Sequence, residues 1–173
     1  MLKFCVDKWN QNKDKLRKRI ETDNTILDCE YIHLVKLVVE EIFNDGIGRE
    51  TDTFLISTEV WDGDKITVID NGDYQGTLLF AIPKACYQPG AYEYLMTYVD
   101  YGSCSGCDTL LAIQQNYWNE DWCDIGNNAL PIKEQVDDFM TLCLHIVEHT
   151  IKPYNCGWRE EDEFNEVKWE GEI

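Results

Sequence analysis

The sequence predicts an α+β domain, a four-stranded antiparallel meander packed by three helices, with an extra basic helix at the N-terminus. Two patterns carry that expectation. Apolar residues recur at helical spacing in residues 31–44 and 133–152, and short β-rich runs between them are separated by the turn dipeptides Asp62-Gly63 and Asn71-Gly72. At 173 residues with 44% hydrophobic residues, six Trp and nine Tyr, the chain has the length and apolar content for one real core, which excludes general disorder. Residues 1–157 are expected to form that single domain, and residues 158–173 an acidic C-terminal tail.

Trp9 to Glu21 reads as a basic helix, with Leu16 and Ile20 as a thin apolar stripe and Lys13, Lys15, Arg17, Lys18 and Arg19 outside it. Asp28 has the chemistry of an N-cap for the next helix, in which Tyr31, Leu34, Val35, Val38 and Ile42 keep one face until Asn44-Asp45-Gly46 stops it. The expected strands are Thr53–Trp61, Lys65–Asp70, Tyr74–Ile82 and Tyr92–Tyr101. Asp62, Asp64, Asp70 and Asp73 crowd their turns, but the glycine spacing does not match a calcium-binding loop, and turn chemistry accounts for them. A helix follows near 108–118, carrying Leu110, Leu111, Ile113 and Tyr117. The last helix, from about Lys133 to Lys152 before Pro153, places Val136, Phe139, Met140, Cys143, Ile146, Val147, Thr150 and Ile151 on one arc.

One local pattern has the makings of chemistry: Cys104-Ser-Gly-Cys107, set between an alternating run that breaks at Gly102 and the helix that begins near Asp108. Strand, C-x-x-C, helix is the thioredoxin order, and a helix start favours a thiolate. Against redox chemistry, Asp100 and Asp108 flank the pair and push its thiols toward the neutral form. Against zinc, two thiolates fill half a tetrahedral site, so further ligands must come from elsewhere. The string His145-Ile-Val-Glu-His149 offers itself, and also fits the inverted zinc-protease order H-x-x-E-H. Its histidines fall opposite the apolar arc of their helix, toward solvent. A third account makes the C-x-x-C a tight turn of small residues. Zinc at Cys104 and Cys107 therefore stays a possible cofactor, and no other is expected.

Eight cysteines accompany a start without an apolar signal-like segment, so the thiols are expected reduced and the protein cytoplasmic. No apolar run has the length of a membrane span. The net charge is −18, and it is uneven: Met1 to Ile20 has seven Lys/Arg against two Asp, whereas Trp158 to Ile173 has two basic residues against seven acidic ones. An acidic body of this kind excludes direct nucleic-acid binding by phosphate neutralisation, and its field draws basic partners. The acidic, aromatic stretches are the expected contact points: Trp118, Glu120, Asp121, Trp122 and Asp124 in one loop, and Glu160, Glu161, Asp162 and Glu163 in the tail.

The strings Asp73-Tyr-Gln-Gly-Thr-Leu-Leu-Phe80, Tyr92 to Leu110 with its Tyr-Gly-Ser-Cys-Ser-Gly-Cys-Asp-Thr-Leu ending, and Asp138-Phe-Met-Thr-Leu-Cys143 resemble a family of small acidic proteins carried by phages and prophages of gut bacteria. The resemblance spans roughly residues 73–152. It implies a counter-defence role of the anti-CRISPR kind in the bacterial host cytoplasm. On that reading the protein is a non-enzymatic inhibitor that binds a bacterial nucleic-acid-handling protein, a CRISPR effector nuclease foremost, through its acidic, aromatic surface and blocks DNA binding or cleavage. The alternative is a zinc-binding or thiol-redox module built on Cys104 and Cys107.

Overall fold

A computed structural model describes residues 3–44, 60–115 and 130–152. Within them the fold is α+β, with four α-helices and a three-stranded antiparallel sheet. Helix α1 runs Lys3–Thr22 and α2 runs Tyr31–Val38, continuing through a π-helical turn at Val39–Phe43. Strands β1 (Thr67–Asp70), β2 (Gly76–Pro83) and β3 (Tyr94–Tyr101) lie in the order β1-β2-β3, paired Ile69 with Leu79 and Leu79 with Tyr98. Helices α3 (Thr109–Gln115) and α4 (Lys133–Glu148) complete the described elements.

The basic N-terminal helix is a full member of the core. It begins well before Trp9, and its spacing of Cys5, Asn12, Leu16 and Ile20 buries one stripe. The stripe lies along α4 in antiparallel fashion: Cys5 Sγ donates to the Thr150 carbonyl (3.6 Å) at one end, and Arg17 pairs with Asp137 (2.7 Å) at the other. Asn12 is buried because its amide donates to the Ile42 carbonyl (3.2 Å), which belongs to the π turn.

Several expected boundaries move for local reasons. Asp28 does not cap α2. It closes a 3₁₀ turn, Asn24–Asp28, that is itself capped by Asp23, whose carboxylate accepts from the Thr25 N–H (3.0 Å). Helix α2 starts two residues later, where His33 Nδ1 accepts the Glu30 N–H (3.1 Å). Helix α4 ends at Glu148, short of Lys152. There the Thr150 hydroxyl returns to the Ile146 carbonyl (2.8 Å), and Ile151 leaves to exchange both backbone hydrogen bonds with Met96 at the free edge of β3.

The expected fourth strand is a correction. Residues 53–59 lie outside the described residues, and the end of that run, Val60 to Asp62, makes only an isolated bridge between Trp61 and Lys84 beside β2. The outward backbone groups of Trp61, which a further strand would use, are taken by one side chain: Asn44 Oδ1 accepts the Trp61 N–H (2.8 Å) and Asn44 Nδ2 donates to the Trp61 carbonyl (2.8 Å). A residue whose sequence signal is a helix stop thus ties the end of α2 to the sheet. The inner sheet face, Phe80, Ile82, Leu95 and Val99, closes the core against Phe43, Phe139 and Ile146. Thr97 sits among them because its hydroxyl donates to the Ile146 carbonyl (2.8 Å). No helix among the described residues is long and apolar enough to cross a membrane.

Candidate dithiol site

Strand β3 delivers the chain at Tyr101 to a turn that reverses it into α3, and the turn is shaped by one glycine and one carboxylate. A Cβ at Gly102 would stand 2.5 Å from both the Cys107 carbonyl oxygen and its Sγ, so only glycine lets the two ends of the turn meet this closely. The Cys107 N–H then donates to the Cys104 carbonyl (2.9 Å), which closes the turn on itself.

Asp108 holds that turn from below. Its side chain is 5% exposed and saturated: Oδ2 accepts the Gly102 N–H (3.1 Å), while Oδ1 accepts the Leu111 N–H (2.9 Å) and the Tyr31 hydroxyl (3.1 Å). Tyr31 in turn accepts the Leu110 N–H (3.1 Å), so one buried tyrosine of α2 braces both the cap and the first turn of α3. Burial raises the Tyr31 phenol well above its usual range, so it remains a donor to Asp108. Gln114 and Gln135 extend the bracing, donating to the carbonyls of Cys29 (2.8 Å) and Ile113 (3.4 Å).

On this frame Cys104 and Cys107 are both exposed, with their sulfurs 3.0 Å apart, about 1 Å beyond a disulfide bond. The Cys107 thiol is shifted down, first by a hydrogen bond from the Cys104 side chain and then by the Cys104 backbone. In its neutral form it donates to the Cys104 carbonyl at 3.3 Å. This reverses the expectation drawn from the flanking aspartates. Asp108 turns its carboxylate to three inward donors, and hydrogen bonding within the pair dominates at Cys107.

The other described thiols behave differently. Burial pushes Cys5 up to about 11 and Cys29 up to about 12, and raises the wholly buried Cys143 as well. Cys5 and Cys143 are small core residues, and Cys29 is half-buried against that core. Cys86 is exposed without a neighbouring thiol among the described residues.

The zinc reading finds no support here. His145 and His149 stack on each other (4.1 Å between ring centres), and His149 meets Tyr98 edge-on (4.7 Å). Among the described residues no group of three His, Cys, Asp or Glu stands ready to hold a metal, so Cys104 and Cys107 have no third ligand there. An open groove of about 420 Å³ between α1 and α4, floored by Trp9, Met140 and Leu144, includes no residue of the thiol turn. The expected partner contacts Trp118, Glu120, Asp121, Trp122, Asp124, Glu160, Glu161, Asp162 and Glu163 all lie outside the described residues.

Sequence reasoning missed the Tyr31–Asp108 brace. Half of it was readable, since Asp-Thr-Leu-Leu is a capping sequence at a helix start. The other half is a contact across 77 residues and has no local signature. No protein-family model, curated protein or solved structure matches the chain.

Proposed function

We propose that this protein is a thiol–disulfide module in which Cys104 and Cys107 cycle between two thiols and one disulfide. The observation that carries the reading is the 3.0 Å approach of two exposed sulfurs on a turn braced by buried Asp108. A pair held this way closes with little reorganisation, whereas each sulfur alone has an ordinary surface environment. Cys107, the thiol shifted toward the thiolate, is the attacking group. It displaces one thiolate from a partner disulfide and forms a mixed disulfide. Cys104 then loses its proton and attacks the Cys107 sulfur, closing the internal bond and releasing the second thiol. The pair gives up two electrons, the partner disulfide takes them, and the two thiol protons end on the two product thiols.

The test is reduction of a protein disulfide such as insulin by the dithiol protein, with a chemical dithiol to regenerate it. Turnover that disappears in both Cys104→Ser and Cys107→Ser supports the reading. Turnover no faster than the regenerating dithiol alone overturns it.

Net charge favours a second reading, a non-enzymatic inhibitor of the counter-defence kind that occupies a basic surface of a bacterial nucleic-acid-handling protein, a CRISPR effector nuclease foremost. Its support is the −18 charge, part of which lies on the described sheet and turn as Asp62, Asp64, Asp70, Asp73 and Asp100. Pull-down with a guide-loaded nuclease and a DNA-cleavage assay test it. If carboxylates imitate a phosphate backbone, affinity falls steeply between about 50 and 500 mM salt, and a change below about threefold rules mimicry out.

A further inference from the structure

The thiol turn lies in a stretch of the chain whose charges share one sign. Between Ala85 and Ile132 the chain has no Lys or Arg at all. The β1–β2 hairpin folds back so that Asp70 accepts the Tyr101 hydroxyl (2.8 Å), two residues from the Ser103 that opens the turn. Asp73 is also close enough to Tyr101 to help raise its phenol, after the hydrogen bond to Asp70. The register sets Thr77 opposite Asp100, and Asp100 accepts its hydroxyl on the outer face of the sheet, the face opposite Asp70 and Tyr101. Among the described residues, Lys and Arg pair with the carboxylates of Asp137, Asp23, Asp62, Asp64 and Glu93, none of them in this group. Asp70 and Asp100 are thus exposed carboxylates on the two faces of the sheet end that leads into the dithiol turn, with exposed Asp73 in the hairpin beside Asp70.

From this placement, and resting on the dithiol reading above, we propose that Cys104 and Cys107 select disulfides carried in a cationic setting, amine-bearing or flanked by Lys and Arg, over anionic ones. An approaching thiolate and a field of carboxylates repel a negative disulfide and gather a positive one, before any contact is made. The same field disfavours anionic small-molecule disulfides of the glutathione type. The neighbourhood of the thiols thus agrees in sign with the basic partner that the whole-chain charge favours.

The experiment uses the full chain with Cys86, Cys123 and Cys156 replaced by Ser and follows closure of the Cys104–Cys107 disulfide by peptide mass. Three small disulfides serve as probes: cystamine (cationic), bis(2-hydroxyethyl) disulfide (neutral) and dithiodipropionate (anionic). Their leaving thiols differ in intrinsic reactivity, so the readout is how each rate changes with salt. Going from about 20 to about 500 mM NaCl shrinks the screening length several-fold. The cystamine rate is expected to fall by about threefold or more, the dithiodipropionate rate to rise by a similar factor, and the neutral probe to stay level. In an Asp70→Asn/Asp73→Asn/Asp100→Asn variant both slopes flatten, while Glu40→Gln and Glu41→Gln, on α2's π turn, leave them unchanged. Equal salt responses for all three probes overturn the selectivity and leave the dithiol reading standing. Failure of every probe to close the disulfide overturns both.

Discussion

Two sets of cysteines in one chain show how much of a thiol's chemistry is environment. Cys5 and Cys143 are buried in the helical core and Cys29 is half-buried beside it, and burial shifts each toward the neutral thiol. Cys104 and Cys107 lie on an exposed turn, where each is the other's nearest polar partner and Cys107 moves toward the thiolate. The residue type is the same, and so is the polypeptide. The turn differs in having its rigidity supplied from beneath, by Asp108 and Tyr31, so its sulfurs can be exposed and still held together. Core packing makes thiols inert, and a buried polar brace under a surface loop makes a pair of them available.

The contrast is widest in alkylation. Iodoacetamide on the native protein, read by peptide mass, is expected to modify Cys104 and Cys107 on the order of 10³-fold faster than Cys5 and Cys143, whose labelling waits for unfolding. Comparable rates would mean that the core thiols are no more protected than the turn. Next in size is the brace. Asp108→Ala strands three donors, two of them backbone N–H groups, and is expected to cost about 3 kcal/mol in denaturant unfolding. Asp108→Asn, which keeps an acceptor oxygen, should cost distinctly less. If the alanine variant is as stable as the parent, the turn is not held from below.

Gly102→Ala tests the turn's tightness. A methyl group has no room beside the Cys107 carbonyl and sulfur, so the backbone must shift, with an expected loss of about 1–3 kcal/mol and slower closure of the Cys104–Cys107 disulfide. Unchanged stability and closure would show that the turn yields freely. The smallest effect concerns pH and the core thiols. Cys5 and Cys29 have folded-state values raised to about 11 and about 12, above the unfolded value of 9.0. A raised thiol favours the fold fully below the unfolded value, and that contribution is lost as pH climbs toward the folded one. Stability should therefore decline from about pH 9 upward, by at most about 1.4 kcal/mol per pH unit for each thiol, and the decline should be shallower in Cys29→Ala. An alkaline slope untouched by that change would assign it to other groups.

The parts of this account that were legible in the sequence are those with local causes. The stripe from Val136 to Val147 and the face from Tyr31 to Ile42 came from helical period, and both are buried as expected. The position of the C-x-x-C between strand and helix came from a change of period at Gly102. The brace escaped because Tyr31 looks like any stripe residue until its hydroxyl is seen beneath α3. The sign of the Cys107 shift escaped because a list of neighbouring charges does not show where Asp108 points. Of the strand expected at Thr53–Trp61 only the end lies within the described residues, where Trp61 bridges Lys84 and Asn44 binds its outward backbone groups, a contact that alternation does not reveal.

The central claim is that the turn presents a reversible dithiol, and a redox titration reaches it most directly. The purified chain is equilibrated against thiol–disulfide buffers, trapped by alkylation, and mapped by peptide mass. The account predicts a single two-electron transition joining Cys104 to Cys107, with a midpoint between about −180 and about −300 mV, where thiol–disulfide exchange proteins operate. A pair that remains two free thiols across that whole range, or that oxidises only by pairing with other cysteines, would contradict it.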